Sequence, residues 1–240
     1  MIIDFHVHLG EDSDGGRFSL SQLKSSMLRC NIDKSVVFPF NGNDSDLIKN
    51  SLDLLEISFK EDKIIPFFRF NPNTIEKNRL ESLLLLGFKG VKLHPSGQDF
   101  VVNDKKFNWI YQLISDLNLP LLFHARELDK KRASGFKILD VAKRFPELKI
   151  IIAHFGGDSN KVVEEAIKLK NVYVDTSIHT RTFRLNKMVR KGFDRFVFGS
   201  DAPYDKQSVA LFKIKESELT KKEMNEIFYK NALELLGGKK

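Results

Sequence analysis

Six histidines, His6, His8, His94, His124, His154 and His179, each stand at or just beyond the end of a short β-rich run, and Asp201 follows another such run. Imidazole and carboxylate are the side chains that hold divalent metals and move protons near neutral pH. Two residues apart on an extended chain, His6 and His8 share one face, so both can meet a single ion from adjacent levels of one strand. Strict alternation turns Ile3, Phe5 and Val7 toward surrounding helices and puts Asp4 on the histidine face, deeper, as a core hydrogen-bonding group. A His-x-His pair alone is a weak motif. Its company strengthens it: Leu121-Leu122-Phe123-His124, Ile150-Ile151-Ile152-Ala153-His154 and Phe196-Val197-Phe198-Gly199-Ser200-Asp201 are apolar runs ending in a polar group. One such ending reads equally well as a strand reaching solvent, but their coincidence argues for a metal site.

These groups become neighbours only if the strands carrying them converge. The β-rich runs are residues 2–7, 35–38, 64–70, 90–93, 121–123, 150–153, 172–174 and 196–198. Amphipathic stretches at helical spacing, including 20–28, 47–59, 75–86, 107–117 and 136–145, alternate with them. Gly87, Pro120 and Pro146 punctuate helix ends, and Thr220-Lys221-Lys222-Glu223 reads as a capping box opening a last helix through Leu236. Eight repeated right-handed β/α units favour closure into a (β/α)₈ TIM barrel over an open sheet, with residues 1–240 as one domain. Such barrels gather their catalytic groups at the C-terminal mouth. The polar stretch 10–19 reads as a long loop overhanging that mouth.

Composition narrows the class. The 240 residues are 42% hydrophobic and 30% charged, and no apolar run is long enough to span a bilayer. A secretory start is lacking, and Cys30 is the only cysteine, so a cytoplasmic location is expected. The net charge of +7 is spread along predicted helices instead of forming a basic block. The expected partner is therefore a small-molecule substrate, not nucleic acid or a membrane, and a homo-oligomer is compatible with the sequence.

The chain resembles the amidohydrolase superfamily, in particular its amidohydrolase-2 branch of barrel hydrolases and decarboxylases. The resemblance rests on Asp4-Phe5-His6-Val7-His8, Gly90-Val91-Lys92-Leu93-His94-Pro95, His124, Ala153-His154-Phe155-Gly156-Gly157, Gly199-Ser200-Asp201-Ala202-Pro203 and Asn231-Ala232. It implies that His6, His8 and His124 ligate a metal, that Asp201 binds it or its water, and that His154 contacts substrate or water. Zinc suits this donor set best, with manganese, iron or cobalt as alternatives. A metal-activated water, its pKa lowered to about 7, would attack an amide, ester or lactone carbonyl, with Asp201 as proton acceptor and His154 stabilising the oxyanion or holding the water in line. Lys92 and His94 alternate onto one strand face and are expected to line the substrate pocket. For Lys92, which two-metal relatives carboxylate, a buried ammonium paired with a carboxylate is the expectation. Arg126 is expected to bind substrate, and Arg69 and Arg181 are further anion clamps or rim salt bridges. Asp175 is expected to bond nearby backbone.

Three other readings compete with hydrolysis. Decarboxylation of an aromatic or enolisable acid uses the same residues. A TatD-type nuclease would carry a glutamate in a Glu-x-Gly-Leu-Asp-like fourth strand, which here reads Gly-Val-Lys-Leu-His-Pro. A non-catalytic metal-binding protein would have less reason to keep a ligand on every expected strand.

Overall fold

In the computed structural model, which describes residues 1–12, 15–178 and 181–238, the Val-, Ile- and Phe-rich runs are extended, as β-branched and aromatic side chains favour. His179 lies outside the described residues. The strands are β1 (Ile3–Glu11), β2 (Arg17–Phe18), β3 (Lys34–Pro39), β4 (Ile64–Pro66), β5 (Phe68–Arg69), β6 (Val91–Leu93), β7 (Leu121–Phe123), β8 (Ile150–Ile152), β9 (Val172–Asp175) and β10 (Phe196–Val197). They form two sheets, β2-β1-β3-β4 and β10-β9-β8-β7-β6-β5, parallel except for β2. β4 and β5 are one barrel strand interrupted at Phe67, whose N–H donates to the Val37 carbonyl while that of Phe68 donates to Gly90. At the other seam Phe5 N–H donates to the Phe198 carbonyl, and Val7 bridges Ala202. Eight parallel barrel strands are thereby closed, and helices such as Leu20–Cys30, Asp44–Lys60 and Gln207–Lys215 follow them.

The two layers of core follow the side-chain alternation. Val37, Phe68, Val91, Phe123, Ile152 and Val174 face the helices, whereas Val36, Ile65, Phe67, Leu122, Ile151 and Tyr173 fill the barrel. β1 departs from the expected strict alternation. Asp4 pairs with Ser35 but Val7 with Val37, so β1 carries one residue more than β3 between those points. This bulge lets Phe5 and His6 both face the barrel: Phe5 meets the Phe67 ring edge-on at 5.5 Å and His6 meets Phe38 at 5.2 Å. Ile3 and Phe5 belong with the barrel filling and not with Val7, and Asp4 sits on the outer side against Ser200 and Gln207.

Two ends of the barrel are finished differently. Thr220 caps the C-terminal helical segment with the expected capping box, and Ala232 and Leu235 from that segment plug the N-terminal end against Ile3 and Phe5. Asn231 ties the plug to the barrel by donating to the carbonyls of Asp194 and Phe196 at 2.7 and 2.8 Å. At the mouth, the expected loop 10–19 contains a short hairpin, Gly10 pairing with Phe18 and Glu11 with Arg17. Tyr204 donates a hydrogen bond to Asp12 in this hairpin.

Candidate metal centre

The mouth gathers buried and half-buried polar groups from most of the barrel. His6 and His8 come from β1, Arg69 from β5, Lys92 from β6, Asp175 from β9, and His94, His124, His154 and Asp201 from the turns after β6, β7, β8 and β10. His6, Lys92, Arg69 and Asp175 are fully buried, and His8, His154 and Asp201 nearly so. Glycine at position 199 suits this crowding, because a Cβ there would lie 3.0 Å from the His6 Cβ and 3.3 Å from that of Asp175 and would press on both.

His154 opens a turn of left-handed helix, with φ/ψ of 57/51° at His154, 52/47° at Phe155, 70/33° at Gly156 and 74/29° at Gly157. Glycine takes this conformation freely, whereas His154 and Phe155 cost about 1–2 kcal/mol each. The turn is held by His154 N–H donating to Asp175 Oδ1 at 2.8 Å and by Phe155 stacking on Phe196 at 5.3 Å. Asp201 also has a positive φ, 64°, and its N–H donates to the His6 carbonyl at 2.8 Å. Below it, Asp4 accepts from Ser200 N–H and Oγ, His6 N–H and Gln207 Nε2. That is the core hydrogen-bonding role expected of it, although burial still pushes its carboxyl pKa up.

Ligand-type atoms converge above this floor. His6, His154 and Asp201 each offer one within 4.8 Å of the others. Asp201 Oδ1 lies 3.0 Å from His6 Nε2 and 3.3 Å from His8 Nε2, yet neither contact has hydrogen-bond geometry. His124 Nδ1 is 2.9 Å from His154 Nε2, and His94 stacks on His124 at 3.6 Å with rings 10° apart. Neutral imidazoles are what burial enforces: it pushes His8 down to about 3, His154 down to about 4, and His94 and His124 well below their ordinary value. His6 behaves differently. Burial and Lys92 oppose its protonation, but Asp201 and Asp175 on either side outweigh them and raise its pKa. Burial acts to raise both carboxylates, yet His6 holds Asp201 well below its ordinary range and pulls Asp175 down to about 2. The pocket between His6 Nε2 and Asp201 Oδ1 is thus built to attract a cation, and its imidazole and carboxylate donors fit a divalent transition ion.

Apart from His179, the predicted site residues divide clearly. His6, His8, His124, His154, Asp201, His94 and Lys92 come together. Lys92 does not take the expected carboxylate partner: its Nζ is 3.2 Å from His6 Nε2 and 4.8 Å from the centre of the Phe38 ring, and burial lowers its pKa to about 7. Arg126 and Arg181 are exposed, outside the buried cluster. Arg69 is inside, donating to the Pro39 carbonyl at 2.8 Å and to Asn41, with its Nε unpartnered. Asp175 does more than bond backbone, since its Oδ2 accepts from His6 Nδ1 at 2.6 Å. The signal for it was present: like Asp201, it is a carboxylate ending a run of barrel-strand residues.

A family model described as amidohydrolase matches residues 54–238. The chain belongs to the amidohydrolase family. No functionally curated protein matches it. Among solved structures, this amidohydrolase is similar to 2,6-dihydroxybenzoate decarboxylase from Rhizobium, at 14% identity and a TM-score of 0.79 over 99% of both chains. It is also similar to a dihydroxybenzoic acid decarboxylase from Polaromonas, with bound manganese and the inhibitor 2-nitroresorcinol, at 14% identity and a TM-score of 0.78 over 99% of this chain and 97% of that one. A third is a probable 2-pyrone-4,6-dicarboxylic acid hydrolase from Acinetobacter baumannii with citric acid bound, at 18% identity and a TM-score of 0.71 over 98% and 99%. These likenesses establish the barrel fold. No helix among the described residues is long and apolar enough to cross a membrane.

Proposed function

We propose that residues 1–240 act as one amidohydrolase domain that hydrolyses an amide, ester or lactone bond in a small substrate, with a divalent ion, zinc by preference, held by His6, His8, His124 and Asp201. The observation that carries this reading is the buried approach of His6 Nε2 to Asp201 Oδ1 at 3.0 Å without a hydrogen bond, with further imidazoles around it. A bound ion there would polarise the scissile carbonyl and acidify the attacking water. Asp201 would accept the water's proton and return it to the leaving group. His154 would hold that water in line by accepting a hydrogen bond from it. His94, whose Nδ1 accepts from Gly97 N–H at 3.0 Å, keeps Nε2–H to donate to substrate. Lys92 and Arg69 give the pocket floor a positive character suited to a substrate bearing a carboxylate, and Arg126 serves at the rim. The single cysteine and the absence of a basic block support a cytoplasmic small-molecule enzyme.

Decarboxylation of an aromatic acid is the second reading, favoured by the rings at the entrance. Phe40 stacks on His8 at 5.2 Å, and Tyr204 stands edge-on to both at 5.2 and 5.8 Å, an aromatic wall against which a flat ring could pack. Elemental analysis of the purified protein, followed by a screen of esters, lactones and hydroxybenzoic acids with the metal found, separates the two. About one equivalent of metal and turnover of an ester or lactone is the expected result. Release of carbon dioxide from a hydroxybenzoic acid with no hydrolysis would transfer the assignment to the second reading, and a metal-free, inactive protein would end both.

A further inference from the structure

We infer that Asp175 and Ser177 are positioning residues that together place the ring proton of two histidines, His6 and His154, on Nδ1. The inference rests on the proposed function for its consequence, since it fixes which nitrogen of each ring faces the reacting groups. Asp175 ends β9 and is fully buried, with Ser177 buried two residues on. Asp175 Oδ2 accepts from His6 Nδ1 at 2.6 Å. Its other oxygen, Oδ1, accepts from His154 N–H at 2.8 Å, Ser177 N–H at 3.0 Å and Ser177 Oγ at 2.6 Å.

The assignment follows from counting hydrogens. An ionised carboxylate only accepts, so the ring nitrogen facing Asp175 Oδ2 carries a proton. A serine hydroxyl has one proton, and that of Ser177 is committed to Asp175 Oδ1. At the 2.8 Å contact between Ser177 Oγ and His154 Nδ1, the oxygen must therefore accept and the nitrogen must donate. One carboxylate thus orients both rings, His6 directly and His154 through a hydroxyl. Each ring then turns Nε2 toward the centre, His6 toward Asp201 and His154 toward His124 Nδ1. The opposite tautomer of His6 would aim an N–H where a lone pair is needed for a metal, and that of His154 would aim one at the neighbouring imidazole. Partners of this kind, behind the groups that touch a metal, are worth about 10- to 100-fold in affinity or activity.

The test is histidine-selective ¹⁵N labelling of the full-length chain, with long-range ¹H–¹⁵N correlation at mildly alkaline pH in the presence of chelator. Wild-type protein is expected to show Nδ1 protonated in His6 and His154, with a pyridine-type Nε2 in His154. Ser177→Ala should release the His154 tautomer while leaving His6 unchanged, and Ser177→Thr, which keeps the hydroxyl, should restore it. Zinc titration is expected to show about a tenfold or greater loss of affinity for Asp175→Asn and little change for Ser177→Ala. An Nε2-protonated His154 in the wild type would overturn the inference before any variant is made, and so would a His154 signal unaltered in folded Ser177→Ala. Wild-type protein with both tautomers as assigned but no affinity for zinc would sustain the proton placement and instead remove the metal-dependent reading.

Discussion

The two ends of the barrel are packed from the same strands under opposite rules. At the N-terminal end, Ile3, Phe5, Phe67, Tyr173 and Val197 meet Ala232 and Leu235 in an apolar plug. At the C-terminal end, a few residues further along those strands, three imidazoles, two carboxylates, an ammonium and a guanidinium are buried together. Burial of apolar surface stabilises the first end by about 25 cal/mol per Å². At the second, burial of charge costs stability, and only partly compensating hydrogen bonds offset it. The contrast teaches that one end holds the fold while the other draws on it, so variants at the two ends should fail in different assays.

The largest effect is expected at the mouth. Asp201→Asn is nearly isosteric and keeps an oxygen to face a metal, but an amide cannot accept a proton, so turnover should drop by about 10²- to 10⁴-fold on the substrate found by screening. Metal content and Tm should stay close to wild type. Near-wild-type turnover with metal bound would take the proton-acceptor role from Asp201 and give it to His154. The double variant His6→Ala, His8→Ala should lose most of its metal and remain folded, as elemental analysis and circular dichroism would register; full metal occupancy would mean that the ion sits elsewhere.

The plug should respond in the opposite sense. Phe67→Ala removes a ring wedged edge-on against Phe5 and closely packed on Gly90, where even a Cβ would lie 2.4 Å from it. A loss of about 3–5 kcal/mol in denaturant unfolding is expected, with metal content per folded molecule unchanged. Lys92→Met sharpens the contrast, because it replaces a buried amine with an apolar chain of similar length. Stability should hold or rise by about 1 kcal/mol, a Tm gain of about 2–4 °C, while turnover falls. A destabilised Lys92→Met would mean that the polar end contributes to the fold after all.

The smallest effect lies outside both ends, in the capping box. Glu223 accepts from Thr220 N–H and pairs with both terminal nitrogens of Arg190, which takes its pKa from the ordinary 4.5 down to about 2. A depressed carboxyl contributes stability above its unfolded pKa and loses it as pH falls through the folded value. Glu223→Gln keeps the cap but not the charge, so wild type should lead by about 0.5 kcal/mol at neutral pH. That lead should fade between pH 4.5 and about 2 in urea titrations, and a lead independent of pH would show that the ion pair contributes nothing.

Much of this was legible in the sequence, for a physical reason. Parallel barrel strands are buried on both faces, so they read as apolar runs, and the polar residue ending each run marks the mouth. His6, His8, His94, His124, His154 and Asp201 were found in that way, and the capping box at Thr220 announced the last helix. Arg126 was put ahead of Arg69, although Arg69 is the buried one, because whether an arginine after or within a strand is buried depends on loops of tertiary origin. The role of Asp175 was half visible: its type and position could be read, but not that His6, 169 residues away, would be its partner. Strict alternation misplaced Ile3, Asp4 and Phe5, since a bulge arises from pairing between strands and leaves no mark in one strand's own pattern.

That bulge has a consequence for how the site is encoded. Since β1 spends three steps where β3 spends two, the extra residue between Asp4 and Val7 is absorbed locally and the strand on either side keeps its register. Deleting Phe5 alone would leave Asp4 opposite Ser35 and Val7 opposite Val37, restoring strict alternation with His6 still turned inward and only the Phe5 ring lost from the barrel filling. Two chains differing only by that deletion would space Asp4 differently from the His-x-His pair and could still share a centre. Chain length in this strand is thus free by one residue at the bulge, where the added count supplies an apolar ring and not a ligand-type side chain.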